Sequence, residues 1–164
     1  MNLITLFLWI ILSIPLLASY GSVIERNNDV GVGMPLGLKQ FYGLTIILTL
    51  ISVLFLISWS TNLETTPENM ETIQLSIILI MSCSIAWGPL FNIGCGKNSL
   101  YRSMSILALI GVAVGVSVLL YTAYEEYSID NNQTNLWAVI TNSFFLFQTF
   151  ILDAIVWSIY FLNN

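Results

Sequence analysis

Five long apolar runs separated by short polar stretches organise the 164-residue chain: 3–20, 41–59, 72–91, 103–121 and 136–161. A helix crosses the hydrocarbon core of a bilayer with about 20 predominantly apolar residues. In lipid every backbone polar group must be satisfied internally, which leaves helices and closed barrels as the spanning structures. The pattern predicts an all-α polytopic membrane protein, one bundle of five transmembrane helices covering residues 1–164. Pro15 falls inside the first run, where neighbouring helices can tolerate the kink it brings. That run also has the length of a signal peptide, with Ala18-Ser19-Tyr20 near a cut. No Lys or Arg precedes it, which favours a retained helix. The fifth run is over-long for the bilayer, implying tilt or extension beyond it.

The connections carry their own signals. Residues 21–40 form the longest one, with Gly31, Gly33, Pro35 and Gly37 breaking helix and Val30, Val32, Met34, Leu36 and Leu38 supplying apolar groups. It reads as a plain connector or as a flap over the bundle. Thr66-Pro67-Glu68 reads as a helix start, with Thr66 as cap and Pro67 in the first turn. Phe41 and Tyr42 at one end of the second run, and Trp59 at the other, are placed like an interfacial aromatic belt. The third run closes on Ala86-Trp87-Gly88-Pro89-Leu90-Phe91-Asn92, where Gly88 and Pro89 predict a helix stop. Gly111 and Gly115 form a GxxxG spacing that lets a second helix approach closely. That helix belongs either to the same chain or to a partner in a homodimer.

Composition agrees with a lipid-facing surface: 8% of residues are charged, against about 25% in soluble domains. The few charges are ordered. Arg26, Lys39, Lys97 and Arg102 all follow the first and third runs, whereas the connections after the second and fourth contain only acids. By the positive-inside rule the N-terminus lies outside and the C-terminus inside, in a membrane of unspecified kind. Asn132-Gln133-Thr134 is then a glycosylation sequon on the outer side, too close to the fifth run for use to be expected. The net charge of −5 opposes nucleic acid as a partner; the bilayer is the expected one.

Catalytic chemistry has little to draw on. The chain has no His, the usual acid/base near neutrality and the commonest metal ligand. Cys83 and Cys95 lack metal-site spacing, and a helix between them would rise roughly 18 Å, beyond disulfide reach. No nucleophile set is visible, and Gly31-Val-Gly33 lies between membrane helices rather than between a strand and a helix. Neither an enzyme nor a resident cofactor or metal is expected. Transporter half-repeats and a channel filter are likewise not evident. Asp153 is the one acid inside a span, and an intramembrane carboxylate costs several kcal/mol unless neutral, paired or wet. It should face the interior near Gln148, Ser84 or Thr149, either as a polar anchor or proton-handling group, or as a neutral acid satisfying a neighbouring helix.

Trp87-Gly88-Pro89-Leu90-Phe91 resembles the end of the third helix in the TspO/MBR family, the tryptophan-rich sensory or translocator proteins, with Asn92 where a second Phe is usual. Leu152-Asp153, Trp157 and Asn163 are similar to that family's fifth-helix Leu-Asn, Trp and late Asn, with Asp in place of Asn. The long first connection matches in position and length. The resemblance implies five helices, a dimer, and a pocket for a tetrapyrrole- or sterol-like ligand involving Trp87, Pro89, Phe91 and Asp153. Two other expectations stand beside this one: a structural or assembly subunit, marked by an outward glycine stripe and no internal cavity, and an ion- or proton-handling protein built on Asp153.

Overall fold

All five apolar runs are helical in the computed structural model, which describes residues 1–25, 34–95 and 98–163. The spans are α1 (Leu3–Glu25), α2 (Leu36–Asn62), α3 (Pro67–Gly94) and α4 (Ser99–Ile129). The fifth opens as α5 (Gln133–Leu146), continues as a π-helical stretch (Phe147–Trp157) and ends as α6 (Ser158–Asn163). Each span is long and apolar enough to cross a membrane, and no strand occurs among the described residues. Arg26, Asp29, Val30, Gly31, Val32, Gly33, Gly96 and Lys97 lie outside the described residues, as does the side chain of Asn163.

Each helix extends past its apolar run, and polar caps outside the run satisfy the first free N–H groups of α3, α4 and α5. Thr66 accepts from the Asn69 N–H at 3.2 Å with Pro67 in the first turn, as expected. Asn98 accepts from Leu100 at 3.2 Å and opens α4. Asn132, of the sequon, accepts from Asn135 at 2.8 Å and opens α5.

Around the bundle the order is α1, α3, α4, fifth span, α2, with α2 returning to α1. The α3–α4 seam is the most extensive, and the glycine stripe explains why. A Cβ on Gly111 would lie 3.5 Å from Cys83 Cβ; one on Gly115 would lie 2.6 Å from Ile80 Cγ1 and 3.2 Å from the Ser76 carbonyl oxygen. The stripe thus serves a helix of the same chain, the first of the two alternatives for it. In lipid such close approach, rather than expulsion of water, drives association. Leu54, Leu79, Leu107 and Phe150 point outward where acyl chains would lie.

Three structural findings correct the sequence expectations. Helix α3 does not stop at Gly88-Pro89; it runs to Gly94 with Pro89 inside it. Trp59 is not an interfacial anchor. It is buried, and its indole N–H donates to Asn135 Oδ1 at 3.1 Å. Phe41 is exposed as a belt residue should be, but Tyr42 turns inward to Asp153.

The two ends of the bundle differ in charge. Lys39 and Arg102 share one end, while Glu64, Glu68, Glu71, Glu125, Glu126 and Asp130 share the other. The core divides the same way. Toward the acidic end it is built on Trp9, Leu56, Trp59, Ile73, Ile77 and Val116. Toward the basic end it is built on Trp87, Phe91, Leu109, Trp157 and Phe161, with Val23 and Met34.

Candidate functional site

Pro89 lacks an N–H, so the carbonyl of Ile85 one turn earlier loses its helical partner. Ser19 of α1 replaces it: its hydroxyl donates to the Ile85 carbonyl at 2.8 Å. Gly88 makes the approach feasible, since a Cβ there would lie 2.7 Å from the Ser19 carbonyl oxygen. Gly88-Pro89 is therefore a docking joint for α1, which is why the helix survives it. The Pro89 ring itself is exposed on the outer face and does not line the interior.

The joint turns Trp87 inward. Trp87 is 6% exposed, stacks on Phe91 at a centroid distance of 5.2 Å, and meets Trp157 edge-on at 5.9 Å. Tyr20 of α1 lies 5.5 Å from it. Trp157 stacks on Phe161 at 4.5 Å, and Phe161 reaches back to Phe91 at 5.4 Å. Such centroid separations are those of favourable aromatic pairs. Met34, from the end of the long first connection, is buried in the same cluster, so that connection covers the rings at least there.

Arg102 closes the basic end. Its Nε donates to the Gly94 carbonyl at 3.1 Å, and its guanidinium lies 5.3 Å over the Phe161 ring. Cys95 beside it is a free thiol, and burial pushes its pKa up more than Arg102 lowers it. It is thus a poor nucleophile.

Asp153 lies one turn before Trp157 on the π-helical stretch. Consecutive π-helical turns bring residues i and i+5 together, and the polar groups follow that spacing. Gln148 Nε2 donates to Asp153 Oδ1 at 3.0 Å, and the Ser158 hydroxyl to the Asp153 carbonyl at 3.4 Å. The Tyr42 hydroxyl of α2 also donates to Asp153 Oδ1. Gln148 was among the neighbours expected for Asp153. Ser84 and Thr149 are not bonded to it, and Thr149 is held by the Phe145 carbonyl at 3.0 Å.

Trp87, Phe91 and Asp153 are thus gathered at one end, with Trp157 linking the rings to the acid. Phe161 and Ser19 have no motif of their own in the sequence, and nothing there joins Tyr42 to Asp153. One signal was available: Asp153, Trp157 and Phe161 are spaced four apart, which aligns side chains along a helix.

Two buried polar atoms here have no hydrogen-bond partner: the Trp87 indole N–H and Gln148 Oε1. Each such atom costs about 1–3 kcal/mol. They give the region one free donor and one free acceptor inside an apolar setting. No family model, curated protein or solved structure matches this chain.

Proposed function

We propose that this membrane protein binds, and by binding helps move, a large flat apolar ligand of tetrapyrrole or sterol-like class, in the manner of TspO-like proteins. The observation that carries the reading is Trp87: it is buried in the bundle rather than turned to lipid, and its indole N–H is unpartnered. Interiors rarely leave a donor unpaired without a reason. A ligand with an acceptor at its edge would pair with Trp87, and Phe91, Trp157 and Phe161 would cover its faces. The rings touch each other in the free protein, so entry requires them to part. Tyr42, Asp153 and Gln148 form the polar boundary of the site. In this reading the basic end faces the cytoplasm or its equivalent, with the N-terminus outside. Cysteines placed beside Glu64 should then label from the outside only.

The test is titration of the purified protein with protoporphyrin while Trp fluorescence is followed. Saturable quenching should weaken at least ten-fold in Trp87→Ala, about 1.4 kcal/mol. It should persist in Trp137→Ala, since Trp137 is on the outer surface. No saturable quenching, or equal affinity in Trp87→Ala, removes the proposal.

A second reading, proton handling, is favoured by the Tyr42–Asp153–Gln148 contact. It expects Asp153→Asn to abolish proton flux into protein-loaded vesicles. An assembly subunit would carry an outward glycine stripe and no internal cavity. Gly111 and Gly115 instead face α3 of the same chain.

A further inference from the structure

The acidic end holds a cleft that the proposed site does not use. Its volume is about 460 Å³, within the usual range for small-molecule sites. Phe55, Trp59, Leu63 and Ile129 give it apolar walls, and Glu64, Glu126 and Asp130 give it charge. Lys39 and Arg102, the basic residues among those described, lie at the opposite end.

Glu126 is the informative residue. It is 6% exposed and lines the cleft. One carboxylate oxygen is engaged, accepting from the Thr65 hydroxyl and from Asn69 Nδ2 at 2.7 Å. The second oxygen takes no bond from any described residue and is open to the cleft rather than sealed in the interior. A carboxylate this enclosed is normally paired with a cation, and among the described residues the basic side chains, Lys39 and Arg102, lie at the other end of the bundle. A divalent metal fits poorly: among the described residues no group of three acidic, Cys or His side chains is placed to hold one. Aromatic and aliphatic walls beside a half-satisfied carboxylate instead match a protonated amine on an apolar body.

We propose that this cleft binds amphipathic primary amines, the ammonium meeting the free oxygen of Glu126 within reach of Glu64 and Asp130, and the apolar part lying against Phe55, Leu63 and Ile129. The site is separate from the Trp87 cluster, at the other end of the bundle, and stands independently of the ligand reading above.

The test uses the full chain in zwitterionic nanodiscs, titrated calorimetrically with 2-phenylethylammonium and with neutral 2-phenylethanol, against empty nanodiscs. The protein should bind the amine saturably and at least ten-fold more tightly than the alcohol. Glu126→Gln should cost ten-fold or more; it keeps an oxygen for Thr65 and Asn69, so the fold should survive. Glu64→Gln, at an exposed position, should cost two- to three-fold with no risk to folding. Trp87→Ala should change nothing. Equal affinity for amine and alcohol, uptake no greater than by empty nanodiscs, unchanged affinity in Glu64→Gln, or displacement of the amine by micromolar Ca²⁺ would each overturn the proposal.

Discussion

Ser19, Gly88 and Pro89 show how far one missing N–H reaches. Pro89 frees the Ile85 carbonyl, Ser19 takes it, and Gly88 lets the two backbones close. Interhelical hydrogen bonds in membranes are worth about 0.6 kcal/mol on average and up to roughly 2 kcal/mol. Ser19→Ala should lower stability by that order, read as the midpoint of SDS-induced unfolding. In Pro89→Ala the helix regains its own N–H for Ile85, so adding Ser19→Ala should cost little more. Additive losses in the double variant would show that the hydroxyl acts elsewhere. Gly88→Ala forces a Cβ into the Ser19 backbone and should cost about 1–3 kcal/mol. None of this was legible in sequence, because Gly-Pro most often ends a helix. Only a partner hydroxyl 66 residues away in sequence reverses that outcome. Trp59 misled for a related reason. An end-of-span Trp reads as a belt residue until Asn135 appears as its partner.

At the scale of elements, the five spans were legible because lipid demands length and apolarity, and both are visible in a sequence. Their ends were less so. Thr66 was found by its Pro67 neighbour, whereas Asn98 and Asn132 fall inside polar stretches that resemble plain connections. Thr66→Ala should cost about 0.5–2 kcal/mol in the same unfolding assay, with no effect on ligand affinity. The α3–α4 seam makes a graded prediction. Gly115→Ala places a methyl group against Ile80, and Gly115→Val adds bulk beside the Ser76 carbonyl. The valine variant should be destabilised more, by about 1–3 kcal/mol. Equal stability of both with the parent would mean that the seam is not tight. The π-helical stretch has no sequence signature comparable to an apolar run. Its consequence is the i, i+5 row of Gln148, Asp153 and Ser158, an alignment that ordinary helical spacing would not give.

Across the whole molecule, acidic and basic charge are segregated to opposite ends, and the cluster of touching rings sits at the basic one. Six carboxylates stand at one end, and at the other, with Lys39 and Arg102, lies a cluster of six aromatic pairs from Tyr20 to Phe161. The charge ordering was legible from the connections alone. So was the prominence of Trp87, Phe91 and Asp153, although their convergence depends on which way each helix turns, and that is set by the Ser19 joint and the α3–α4 seam. What defines the candidate site is a Trp whose ring is buried and whose N–H is unspent. The most direct measurement is therefore the indole ¹H–¹⁵N spectrum of Trp-labelled protein, with the Trp87 signal assigned by Trp87→Phe. On adding protoporphyrin, the Trp87 signal should shift saturably, while those of Trp9 and Trp59, already bonded to Ser60 and Asn135, stay in place. A Trp87 signal that remains unmoved at saturating ligand would contradict the account.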